Sequence, residues 1–109
     1  MKKHLLFVCS GGLDRSPCAA SLFDKSNKYE AKSCGLYPLT ESTPLTRQLL
    51  RWADLIFVME PRHKADILER FPILVRDKPE IILLNIPDEY TRNNPELEVI
   101  LRKKLAKFL

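Results

Sequence analysis

The stretch Leu5-Leu6-Phe7-Val8-Cys9-Ser10-Gly11-Gly12-Leu13-Asp14-Arg15-Ser16-Pro17 decides how the chain is read. Four apolar residues in a row, without polar alternation, fit a strand buried on both faces. Ser10-Gly11-Gly12 breaks that strand. Ser16-Pro17 then has the form of a helix N-cap followed by proline at the first helical position. The Ala- and Leu-rich residues 17–24 continue as the helix.

The same alternation recurs along the chain. Residues 29–33 form a weaker strand ended by Cys34-Gly35, and Thr43-Pro44 repeats the cap-and-proline signature. Leu45, Leu49 and Trp52 then fall at helical spacing on one face. Leu55-Ile56-Phe57-Val58-Met59 is the clearest strand, and Pro61 opens a third helix whose inner side is expected at Ala65, Leu68 and Phe71. Ile81-Ile82-Leu83-Leu84 is a fourth buried strand. Asn94-Pro95 caps a last helix with an apolar stripe of Leu97, Ile100, Leu101, Leu105 and Phe108. Strands apolar on both faces, alternating with helices four times, specify an α/β layered fold around a parallel sheet. No linker or repeat interrupts residues 1–109, which read as one domain. Residues 72–79, bounded by prolines, are expected to form a surface loop.

Composition narrows the function classes. The chain has 109 residues, 45% hydrophobic and 29% charged, the balance of a globular rather than a disordered protein. No apolar run approaches the ~18 residues of a membrane span, and residues 5–8 are too short for the core of an export signal. A net charge of +4 favours anionic partners. Basic residues interleaved with aromatics are missing, which argues against nucleic acid. Cys9, Cys18 and Cys34 contain no CxxC pair and suit reduced thiols in a cytoplasm. His4 and His63 lack ligand-like spacing, so neither a metal nor a cofactor is expected.

The segment from Cys9 to Pro17 carries the chemistry. Glycines let successive backbone N–H groups turn inward around an anion, and a helix N-terminus adds further donors. Arg15 can grip two oxygens of a phosphoryl group bidentately. The same positive field favours a thiolate, and so a nucleophile, at Cys9. In an open parallel sheet, ligands bind beyond the carboxyl ends of the strands, where this loop lies. Cys-x5-Arg alone is a weak signal; with a strand before it, glycines within and Ser-Pro after, it becomes a strong one.

This segment resembles the phosphate-binding loop of the low-molecular-weight protein tyrosine phosphatases, Cys-x-Gly-Asn-x-x-Arg-Ser-Pro. Ser33-Cys34-Gly35, residues 53–60 and Ile86-Pro87-Asp88-Glu89-Tyr90 are similar as well. The resemblance implies a three-layer fold with a four-stranded parallel sheet, and metal-free hydrolysis of phosphate monoesters through a phosphocysteine. It makes Cys9 the nucleophile and Arg15 the clamp, with Ser10, Gly11, Gly12, Leu13, Asp14 and Ser16 around the phosphate. Ser16 would donate a hydrogen bond to the thiolate. Asp88 would be the general acid and Tyr90 a wall for an aromatic ring. The implied partner is a phosphotyrosine protein, or a small aryl phosphate.

Departures from the pattern are specific. Gly12 replaces the loop asparagine and is expected to leave the loop less firmly held. Asp14 replaces a second loop cysteine and is expected to face outward, while Glu89 replaces the proline of Asp-Pro-Tyr. Pro87-Asp88 is also a common turn pair, and Asp14 is the substitute acid. Cys18 suits a packed small side chain, with a disulfide to Cys9 as the alternative. Two rival functions remain open at this level. One is a non-catalytic phosphate- or phosphoprotein-binding module. The other is thiol-dependent arsenate reduction, which lacks a cysteine pair beyond Cys34.

Overall fold

The computed structural model describes residues 2–37, 42–72, 81–91 and 93–109. The loop expected over 72–79 lies, apart from Pro72, outside them. Four strands, β1 (Lys3–Cys9), β2 (Tyr29–Gly35), β3 (Leu55–Val58) and β4 (Ile81–Leu83), form one sheet in the order β2-β1-β3-β4. Every pairing is parallel. Helices α1 (Arg15–Ser21), α2 (Arg47–Trp52), α3 (Pro61–Arg70) and α4 (Pro95–Leu105) flank it.

The period-2 alternation of β1 divides the core. Leu5, Phe7 and Cys9 point into a layer with Ala19 of α1 and Leu97, Leu101 and Leu105 of α4. Leu6 and Val8 point into the other, with Leu50 of α2 and Ile67 of α3. Both layers are built of buried apolar side chains, which is why β1 needs no polar residue between Leu5 and Val8. Phe7 stacks on Phe57 of β3 at 5.0 Å between ring centres, joining the two central strands. The result is the three-layer architecture, with the topological switch between β1 and β3 and the site loop leaving the end of β1 at that switch.

Helix starts differ from expectation at two places. α1 begins at Arg15, after Asp14, and Ser16 is fully buried inside its first turn rather than capping it. The Ser16 hydroxyl is drawn to Cys9 instead, and Pro17 is tolerated because first-turn N–H groups have no helical acceptor. α2 starts after Thr46, whose side chain accepts from the Leu49 N–H at 3.2 Å. Pro44, expected inside that helix, bridges to Gly35 in the extended chain before it. The face of α3 also differs: His63 and Ile67 are buried, while Leu68 is 46% exposed. At α4 the cap is as expected, with Asn94 accepting from the Glu96 N–H at 2.9 Å. Phe108 lies past its end and is half exposed.

Candidate active site

Cys9 is the last residue of β1 and is almost fully buried. Its sulfur receives the Gly12 N–H at 3.2 Å and lies 3.1 Å from the Ser16 hydroxyl. The loop thus folds back over the sulfur, as a nest built around a negative charge does. Ser16 Oγ also donates to the Cys34 carbonyl at 3.1 Å.

Gly12 makes this return possible. Its φ is +73°, and a Cβ there would lie 2.8 Å from the Gly35 nitrogen. A Cβ on Gly35 would in turn meet the Gly11 carbonyl carbon at 2.6 Å. The loop and the end of β2 are in backbone-to-backbone contact that only paired glycines permit. The expectation of a loosely held loop is therefore corrected: the loop is seated on β2, and the Gly12 N–H is committed to Cys9.

Arg15 is 2% exposed although it carries a permanent charge. Burial of a guanidinium is tolerable only when its donors are satisfied. Nη1 donates to the Ile86 carbonyl at 2.8 Å and pairs with Glu60 Oε2 at 3.1 Å. Nη2 reaches Ser10 Oγ at 3.4 Å, and Nε lies 3.8 Å from Asp88 Oδ1. Asp88 is 62% exposed on a segment that runs past the arginine. Tyr90 is half buried and packs on the core layer of Phe7 and Ile86. Leu13 and Tyr37 are exposed apolar groups, one within the loop and the other bonded through its N–H to the Ser10 carbonyl. Asp14 is half buried, so the outward-facing expectation holds only partly for it.

Three residues of the cluster were not singled out from the sequence as part of the site: Glu60, Arg62 and His63. Glu60 follows the end of β3, which neighbours β1, so it emerges beside Ser10. Arg62 Nη2 donates to Ser10 Oγ at 2.8 Å and to Glu60 at 3.2 Å. Burial works against a charged Glu60, but hydrogen bonds from Arg15 and Arg62 outweigh it and hold the carboxyl below its usual range. Burial pushes His63 down to about 4, so the ring is neutral at pH 7. Burial also pushes the Cys34 thiol up to about 12, with the adjacent Cys9 adding to the effect. Cys34 faces the core layer opposite Cys9, whereas Cys18 shares the layer of Cys9, and none of the three is in a disulfide. Among the described residues, no group of three His, Cys, Asp or Glu is arranged to hold a metal ion. Among them, too, no helix is long and apolar enough to cross a membrane.

A parallel sheet of order 2-1-3-4 thus carries a Cys-x5-Arg loop that closes over the Cys9 sulfur beside a buried arginine. In this fold and this loop the chain is similar to the low-molecular-weight protein tyrosine phosphatases. No family model matches the chain. The protein-arginine-phosphatase of Geobacillus stearothermophilus is 30% identical, the match covering 66% of this chain and 64% of that protein. The solved structure of YwlE arginine phosphatase from the same organism is similar with a TM-score of 0.72 and 25% identity, over 96% of this chain and 91% of that one. The tyrosine phosphatase Wzb from Escherichia coli K30, in complex with phosphate, shares the fold at a TM-score of 0.75 and 21% identity, over 99% and 96% of the two chains.

Proposed function

We propose that the chain is a metal-free phosphatase acting on phosphorylated protein side chains, with Cys9 as nucleophile and phosphotyrosine as the leading substrate. The observation that carries this reading is the convergence of the Gly12 N–H and the Ser16 hydroxyl on the Cys9 sulfur, beside buried Arg15. The Cys9 thiolate attacks phosphorus, forming the P–S bond as the P–O bond to the substrate breaks. Asp88 gives its proton to the leaving oxygen, then takes one from the water that cleaves the P–S bond. Inorganic phosphate and the Cys9 thiolate are the products of that second step. Ser16 follows the charge: its proton serves Cys34 while Cys9 is a thiol and turns to the sulfur when Cys9 is a thiolate. Three cysteines outside any disulfide suit a reducing cytoplasm.

Exposed Leu13 and Tyr37 offer an aromatic ring apolar surface at the mouth. Arg62 puts a cation on the same rim, which disfavours a guanidinium-bearing substrate. A second reading, phosphoarginine, is favoured by the similarity to the arginine phosphatase, and Asp88 could receive its guanidinium. Arsenate reduction is not favoured: the likenesses are to phosphatases, and Cys34 faces away from Cys9. Comparing kcat/KM on one peptide phosphorylated at tyrosine or at arginine tests the assignment. Preference for the tyrosine form supports it, preference for the arginine form replaces it with the second reading, and phosphate binding without turnover of either leaves a binding module.

A further inference from the structure

We propose, building on the reading of the loop as a phosphoryl site, that His63 is a positioning residue for Arg15, acting through Ser10 and Glu60. His63 is fully buried in the first turn of α3. The Glu60 backbone N–H donates to Nδ1 at 3.1 Å, which fixes the ring proton on Nε2. Nε2 lies 2.8 Å from Ser10 Oγ and 3.3 Å from Glu60 Oε2. Those two oxygens are the ones that meet the terminal nitrogens of Arg15, Nη2 at 3.4 Å and Nη1 at 3.1 Å. One buried N–H therefore sits between the two acceptors that meet the guanidinium. The exposed Arg62 Nη2 donates to the same two oxygens at 2.8 Å and 3.2 Å.

The consequence is a choice of edge. Nη1 is held by Ile86 and Glu60, while among the described residues Nη2 and Nε make the longer 3.4 Å and 3.8 Å contacts. The Nε–Nη2 edge is left for a bidentate phosphoryl contact. An apolar residue would fill the same space but leave Ser10 and Glu60 to Arg62 alone, whose side chain is exposed. The ring also keeps one N–H at neutral pH. Burial, Arg15 and Arg62 disfavour a second proton, and together they outweigh the opposing pull of Glu60 and Asp88.

The test measures binding of inorganic phosphate and its inhibition constant at pH 7 with the full chain. His63→Phe keeps a ring of similar size and removes the N–H; His63→Gln restores a donor near the Nε2 position. His63→Phe is expected to weaken phosphate binding about tenfold or more, with His63→Gln recovering most of the loss. In a Ser10→Ala background the effect of His63→Phe should shrink, because part of its route is gone. Equal losses in the Phe and Gln variants, or strict additivity with Ser10→Ala, would overturn the proposal. If His63→Phe does not fold, ¹⁵N spectra of the wild-type ring decide: a proton on Nε2 from pH 5 to 8 is expected, and an Nδ1-protonated ring contradicts it. Phosphate binding needs no turnover. A wild-type chain that binds phosphate through His63 but hydrolyses nothing removes the phosphatase reading alone, and one that binds no phosphate removes both.

Discussion

The Ser16 hydroxyl lies 3.1 Å from the Cys9 sulfur and 3.1 Å from the Cys34 carbonyl oxygen, and it has a single proton to share between them. The carbonyl can only accept, so the Ser16 proton serves Cys34 when a Cys9 thiol donates to Ser16, and serves the sulfur when Cys9 is a thiolate. Ser16→Ala removes this exchange. The expected result is a fall in kcat of about tenfold to a hundredfold, the worth of a hydrogen bond to a charged group, with a smaller change in KM. Steady-state kinetics on an aryl phosphate check this; an unchanged kcat contradicts it.

Gly12 is expected to resist the asparagine of the phosphatase loops it resembles. Gly12→Asn matches that loop pattern and tolerates a positive φ, but its Cβ must enter the 2.8 Å gap to the Gly35 nitrogen. A loss of about 1–3 kcal/mol in stability follows from overpacking against backbone that cannot step aside. Gly35→Ala should cost at least as much, since its Cβ would meet the Gly11 carbonyl carbon at 2.6 Å. Urea denaturation of both variants measures this, and a stabilised Gly12→Asn would refute the tight seating of the loop.

Asp88 and Asp14 are separable by leaving group. Asp88 stands 3.8 Å from Arg15 Nε, on the exposed side of the site. Asp88→Asn should lower kcat by about 10²–10⁴ for phosphotyrosine and far less for a nitrophenyl ester, whose leaving oxygen needs little protonation. Asp14→Asn should show no such leaving-group dependence. The reverse pattern would transfer the role of acid to Asp14.

Acid should destabilise the fold well before the carboxylates as a class are protonated. The unfolded His63 imidazole takes up its proton near 6.5, while the folded ring holds off until about 4. Between those values the unfolded chain binds more protons, so stability falls as the pH drops, by roughly 3 kcal/mol in all. Glu60 acts in the same direction lower down, its stabilisation present above the usual carboxylate range and lost as the pH falls through its lowered value. Urea midpoints at pH 7 and pH 5 should differ in the wild type, and the difference should shrink in His63→Gln. An equal difference in both would place the acid sensitivity elsewhere.

The sheet was legible because Leu5 to Val8 and Leu55 to Met59 are buried on both faces, a pattern that admits few other structures. That Cys9 and Arg15 share one strand-to-helix loop was legible because strand, glycines and helix follow one another within a single turn. Ser16 misled as a cap, since a hydroxyl before proline has the same form whether it caps a helix or faces a sulfur. The inner face of α3 was misplaced because a periodicity of apolar residues passes over a histidine. Its ring is held inside by the Glu60 N–H and by Ser10, 53 residues away in sequence. Glu60, Arg62 and His63 join the site only because β3 lies next to β1, a consequence of strand order that no local pattern announces.

The most direct measurement of the central claim is to look for phosphate on Cys9. Wild type and Cys9→Ser, both with chelator and reductant present, are mixed with an aryl phosphate, quenched within the first turnover, and digested for mass spectrometry. The account predicts one phosphoryl group on the peptide bearing Cys9 in the wild type, with metal-independent turnover that disappears in Cys9→Ser. Turnover that survives the substitution, or a phosphoryl group on any other residue, would contradict it.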